Sequence, residues 1–155
     1  MRTIKNIFVH CTVTPQHITP EQLLSAFRRR GWTAPGYHYV IRANGNIVKL
    51  FDDLFVANGV AGHNRHAVHV AYIGGIDAQG RAVDNRTPEQ RNALRTQLRV
   101  LLTHYPGARI LGHRDISPDR NANGRVDACE RIKACPCFDA AEEYADLRPV
   151  RQEAA

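Results

Sequence analysis

A chain of 155 residues, 43% hydrophobic and 23% charged, has the size and composition of one globular domain with a substantial core. No apolar run approaches the roughly 20 residues needed to cross a bilayer as a helix, so membrane insertion is not expected. The net charge of +6 and the sequence pI near 9.5 suit an anionic partner, but the basic residues are scattered and not interleaved with aromatics, which argues against a nucleic-acid binder.

The N-terminal "MRTIKNIFVHCTVTP" has a basic flank, a short β-branched run and no cleavage site. It predicts a strand ending near His10 rather than a signal peptide, and therefore synthesis in the cytoplasm. In "TPEQLLSAFRRRGW", Thr19 is an N-cap, Pro20 stands at the first helical position and Gln22 completes a capping box. Leu23, Leu24 and Phe27 give that helix an apolar face, and Gly31 stops it. "YHYVIRANGNIVKL" reads as a hairpin turning at Asn44-Gly45, and "AVHVAYIGGI" as a buried central strand.

"TPEQRNALRTQLRVLLTHY" repeats the helix-start device at Thr87, Pro88 and Gln90, with Leu94, Leu98, Leu101 and Leu102 on one face. "ARILGH" is a short strand that delivers His113 to its end. "FDAAEEYADL" offers Asp139 as the cap of a last helix, with Glu142 three residues on, and residues 149–155 form a frayed, flexible tail. The sum is a single α/β domain over residues 1–148, with a central mixed β-sheet flanked by helices.

Four cysteines in a cytosolic chain argue for metal or reactive thiols before disulfides. A Cys135–Cys137 bond would close a strained ring, whereas a bridge from Cys129 to Cys135 or Cys137 stays open in an oxidising setting. His10 and His113 each end a short apolar strand and open an irregular segment, where side chains converge above a rigid sheet. With Cys135, in a proline-containing loop that can return to His113, they make a donor set suited to zinc. Three protein ligands leave the fourth position for water, whose pKa zinc brings to roughly 7. Spacing alone also allows these histidines to be surface or hydrogen-bonded core residues, and it does not separate Cys135 from Cys137. Cys11, directly after His10 on a strand, faces the opposite side and is expected in the core.

Six segments in order carry more: "IFVHCTVTP", "GYHYVIRANGNIV", "GHNRHAVHVAYIGGID", "TPEQRNALRTQLRVLL", "ILGHRDISP" and "IKACPCFD". Together they resemble the zinc-dependent N-acetylmuramoyl-L-alanine amidases of the type 2 amidase family, which includes phage lysozyme-amidases and shares its fold with peptidoglycan recognition proteins. The resemblance runs from about residue 4 to 139. It implies one zinc ion held by His10, His113 and, in preference to Cys137, Cys135, with Tyr37 and Lys133 as catalytic residues. Lys133 would stabilise negative charge on the scissile carbonyl oxygen, and Tyr37 would orient water or pass a proton to the leaving amine.

The implied activity is hydrolysis of the bond between N-acetylmuramic acid and L-alanine in peptidoglycan. With no leader and no separate wall-binding domain, a monomeric phage or prophage endolysin, released to the wall from the host cell, is the first expectation. A cytoplasmic muropeptide-recycling amidase and a non-catalytic peptidoglycan-binding module with structural zinc are the alternatives. Tyr37 and Lys133 together argue against the last.

Two departures bear on the substrate pocket. Relatives often carry a histidine in a G-x-H-x-x-G-x-N loop, where this chain has Gly59 in "ANGVAGHNRH", and His69 stands where glycine is common. Contacts made there are expected to be lost or taken over by His63 or His66, and His38, His63 and Asn64 are the candidate substrate-binding residues.

A second metal is suggested between two of the zinc candidates. "DRNANGRVDACE" matches the calcium-loop pattern D-x-[DN]-x-[DN]-G-x5-E, with Asp119, Asn121, Asn123, Arg125 (through its carbonyl), Asp127 and Glu130 as the candidate ligands. "DISP" breaks any preceding helix, so a paired EF-hand is not expected. A polar loop turning on Asn-Gly without metal is the alternative.

Overall fold

The computed structural model describes residues 1–147, so the tail expected over 149–155 lies outside the described residues. Five strands form one mixed sheet in the order β3-β2-β4-β1-β5: β1 Asn6–Cys11, β2 Tyr39–Ile41, β3 Ile47–Lys49, β4 Ala67–Tyr72 and β5 Arg109–Gly112. Only the β2–β3 hairpin is antiparallel; β4 pairs in parallel with β1 and β2, and β1 with β5. The hairpin closes where expected, with the Gly45 N–H donating to the Arg42 carbonyl at 2.8 Å. β4, the central strand, is buried at all six positions, as its apolar run predicts.

Both longer helices start at the devices read from the sequence. α1 (Pro20–Arg29) and α2 (Pro88–His104) carry complete capping boxes, Thr19 with Gln22 and Thr87 with Gln90. The last helix, α3, is a single turn (Ala140–Glu143) capped by Asp139, shorter than the apolar pattern suggests.

The two-residue period of the strands sorts the core into two faces. On one, Ile7, Val9 and Cys11 of β1 and Val68, Val70 and Tyr72 of β4 pack with Leu94, Leu98 and Leu101 of α2. On the other, Val40 and Ala71 meet Leu23 and Phe27 of α1. His10 is therefore committed to the α1 face while its neighbour Cys11 goes into the α2 core, as expected. No helix among the described residues is long and apolar enough to cross a membrane.

The C-terminal segment is fastened to the start of α2 by Arg86. Its side chain is 1% exposed and donates to both oxygens of Asp84 (2.8 and 2.9 Å), both of Glu143 (3.1 and 2.9 Å) and the Tyr144 hydroxyl (3.2 Å). The guanidinium lies 3.3 Å from the Phe138 ring centroid. Phe138 and Tyr144 belong to the same core cluster as Cys135, so this clamp bears on the segment that carries the candidate metal ligand.

Candidate active site

Two parallel strands and one return loop bring the predicted donors together. β1 ends at His10–Cys11, and β5, its neighbour, ends at Gly112, just before His113. The loop after residue 130 comes back over these ends. The Arg114 N–H donates to the Cys135 carbonyl (2.9 Å), and the Tyr72 hydroxyl donates to the Pro136 carbonyl (2.8 Å). A Cβ at Gly112 would stand 2.8 Å from Pro136 Cδ, so glycine is required for the loop to seat this closely.

One donor atom from each of His10, His113 and Cys135 falls within 4.8 Å of the others, the one such group of histidine, cysteine and carboxylate donors among the described residues. His10 Nδ1 is 3.8 Å from Cys135 Sγ, and the two imidazoles stand edge-on with centroids 5.0 Å apart. The Cys11 backbone N–H donates to Cys135 Sγ at 3.2 Å, which fixes where the sulfur points.

Burial first, and then the neighbouring His69, His113 and Lys133, hold the His10 imidazole well below its ordinary pKa. Burial and the Lys133 ammonium push His113 down to about 4. Both rings are thus neutral at pH 7, the state a metal ligand needs. Cys137 points elsewhere: its Sγ is 3.9 Å from Cys11 Sγ, and it reaches the Gly75 carbonyl at 3.6 Å. The Cys11 thiol is pushed up to about 12 by its contact with Cys135 and by burial, and Cys137 is raised by Cys11 and by burial, so both stay protonated. All four cysteines are free, and Cys129 is exposed, so the bridge left open for Cys129 is not formed.

His113 and Cys135 line a cleft of about 350 Å³ whose walls include Tyr37, Lys133, Val13, Arg30 and Trp32, with His10 buried beneath it. The Tyr37 ring is 5.2 Å from that of His10, and its hydroxyl donates to the Cys11 carbonyl at 3.4 Å. Burial, then the Cys135 and Cys11 thiols, raise the phenol pKa, keeping its proton in place. Arg30 and Trp32 were not singled out from sequence. Their signal was an aromatic beside the "RRR" run, and the Arg30 guanidinium sits 5.5 Å from the Trp32 ring centroid. Val13, exposed with φ of 56°, holds a left-handed conformation costly for a β-branched residue, at the cleft wall.

The other expected substrate contacts sit differently. His38 is fully buried; its Nδ1 accepts from the His69 N–H (3.0 Å), which leaves Nε2–H to donate to the Phe55 carbonyl (3.0 Å). It supports the scaffold and offers a substrate nothing, a correction to the sequence reading. Asn64 closes its own loop, accepting from the Val60 N–H at 2.7 Å. His63 is exposed, edge-on to Phe8 at 6.1 Å, and His66 Nδ1 pairs with the Thr3 carbonyl (2.9 Å).

In the 119–130 loop, Asp119 accepts from the N–H groups of Asn123 and Gly124, and the side-chain amides of Asn121 and Asn123 donate to Asp127. Buried Glu130 accepts from the N–H groups of Arg120, Asn121 and Asp127, and Arg125 pairs with Asp127 at 3.2 Å. The loop's own donors thus engage the carboxylates expected to bind calcium.

A family profile described as N-acetylmuramoyl-L-alanine amidase matches residues 1–136. The endolysin of Enterobacteria phage T3 is 33% identical over 139 residues, 88% of this chain and 83% of that protein. The endolysin of Klebsiella phage KP32 is 36% identical over 135 residues, 86% of this chain and 80% of that protein. Among solved structures, the Ph2119 endolysin from the Thermus scotoductus MAT2119 bacteriophage Ph2119 shares the fold with a TM-score of 0.71 at 22% identity, covering 97% of this chain and 88% of that one. Drosophila PGRP-LB does so at 0.68 and 16%, covering 99% and 88%. The chain belongs to the N-acetylmuramoyl-L-alanine amidase family and is an enzyme of that class.

Proposed function

We propose that the chain hydrolyses the amide between N-acetylmuramic acid and L-alanine in bacterial peptidoglycan with a zinc ion held by His10, His113 and Cys135, acting as a monomeric phage or prophage endolysin that reaches the wall after release from the host cell. The observation that carries this reading is the meeting of the three donors at the cleft that His113 and Cys135 line together with Tyr37 and Lys133. The donor set suits zinc: two imidazoles kept neutral and one sulfur receiving a backbone N–H, all within 4.8 Å. When bound, zinc supplies a Lewis acid and makes water a competent nucleophile at neutral pH.

The remaining work falls to the chain's own residues. Lys133 sets a positive charge at the cleft wall, where it stabilises the negative charge that grows on the substrate's carbonyl oxygen. Tyr37 keeps its proton at Oη and serves as the hydroxyl that orients water or protonates the departing L-alanine nitrogen. Trp32 and Arg30 offer a flat apolar wall with a cationic edge, suited to an anionic peptide stem. The charge of +6 favours the anionic wall, and no nucleic-acid partner enters this reading.

Chelator-treated protein should stop clearing purified peptidoglycan, and stoichiometric zinc should restore clearing. Clearing that survives complete zinc removal defeats the zinc assignment. A protein that binds the wall but never releases peptide defeats the enzyme assignment in favour of a binding module, and activity on soluble anhydro-muropeptides alone favours recycling. For the 119–130 loop, calcium is a separate proposal supported by its twelve-residue pattern. Calcium added to zinc-loaded protein should give binding heat and a higher Tm; no heat and no shift count against it.

A further inference from the structure

Behind His10, on the side away from Cys135, stands a histidine to which the mechanism above assigns no part. His10 Nε2 is 3.0 Å from His69 Nδ1, a contact between two side chains that are 1% and 0% exposed. Register explains the meeting: Phe8 and His69 are partners across the parallel β1–β4 pair, so His10, two residues on, shares their face. The His69 ring is fixed on both sides, stacked on Phe8 at 5.7 Å and 11° and on His38 at 5.8 Å and 8°.

Gly59 provides the room. A Cβ there would stand 2.3 Å from His69 Nδ1 and 2.5 Å from its Cγ, so a side chain at 59 and the imidazole at 69 exclude one another. The two positions at which this sequence departs from the pattern it resembles are thus one steric unit.

Building on the zinc reading, we propose that His69 is a positioning residue that aims His10 at the metal, and that the glycine at 59 makes space for it. An imidazole that gives Nδ1 to a metal carries its proton on Nε2, and that N–H needs an acceptor in a dry site. His69 Nδ1 is the acceptor in place. Accepting there puts the His69 proton on its own Nε2, and this is one of the few buried polar atoms without a partner. A buried N–H left unsatisfied is costly, so keeping histidine at 69 favours a role at Nδ1 over simple packing, which an apolar ring would serve better.

The test compares zinc affinity by chelator competition in purified wild type, H69F, H69N and G59A. H69F keeps the stacked ring and removes the acceptor; it should bind zinc about 10–100-fold more weakly. H69N places Oδ1 where Nδ1 stood and should recover most of that loss. G59A should weaken zinc binding by displacing the ring, yet add no further loss in an H69G background. In parallel, NMR of metal-free protein should show a slowly exchanging ring N–H between the two imidazoles that H69F lacks. Wild-type affinity in H69F overturns the proposal, and so does H69N as weak as H69F, which would make the role one of packing. If H69F does not fold, H69N and G59A decide by the same readings. If wild type binds no zinc, the zinc reading fails, while the ring N–H still tests the His10–His69 bond by itself.

Discussion

Replacing Arg86 by alanine should cost this protein about 3–4 kcal/mol of stability. The guanidinium is 1% exposed, bound by both oxygens of Asp84 and of Glu143, and stacked on Phe138. Truncating one partner of a buried ion pair costs about 3–5 kcal/mol because the remaining charge is left uncompensated. Here Asp84 and Glu143 are 22% and 33% exposed and still have Arg91 beside them, at 3.2 and 3.9 Å, so both regain hydration and keep one cation, which lowers the figure. The lost contact with Phe138 raises it again. For a chain of this length each kcal/mol is about 2–4 °C in Tm, so a fall of about 6–16 °C is expected. R86K, which keeps the charge but not the fork, should fall between. The assay is urea unfolding with matched calorimetry on zinc-loaded protein at pH 7. A loss below about 1 kcal/mol would refute the view that Arg86 clamps the Cys135–Tyr144 segment against the start of α2.

Other outcomes follow from the site. In metal-free protein, His113 is held near 4 in the fold against about 6.5 unfolded, so the unfolded chain takes up the extra proton. Stability should therefore fall as pH drops from about 6.5 to about 4, by about 1–2 kcal/mol from this partly solvent-screened group; a flat urea midpoint over that range contradicts the assignment. Y37F and K133A should retain wild-type Tm and zinc content while losing about 10²–10³-fold in kcat on peptidoglycan, and either variant at full rate removes that residue from the mechanism. G112A puts a methyl 2.8 Å from Pro136 Cδ and should lower both Tm and zinc affinity through about 1–3 kcal/mol of overpacking, whereas an unchanged affinity would show that the loop need not seat so closely.

Much of this was legible in the chain. Both capping boxes, the hairpin and the buried central strand are local signals, set by neighbours within a few residues, and they appear where the pattern puts them. His10 and His113 could be read as strand-end residues for the same reason. What was not legible depends on register and on which face a side chain takes. Cys135 and Cys137 are equivalent in spacing; only the loop path sends one sulfur to His10 and the other to Cys11. Gly59 and His69 look like two unrelated departures until strand pairing puts them in one space. His38 was read as a substrate contact, but its burial and its bonds to the His69 N–H and the Phe55 carbonyl, both distant in sequence, make it part of the scaffold. Arg86, 57 residues from Glu143 in the chain, had no local signature at all.

The most direct test is mass spectrometry of muropeptides released when zinc-loaded protein digests purified peptidoglycan, beside a chelated control and a His113→Ala variant. The account predicts free stem peptides beginning at L-alanine and glycan strands bearing unsubstituted lactyl carboxylates, both absent from the control and the variant. Intact lactyl–alanine bonds, with cleavage in the glycan or between stem residues, would contradict it.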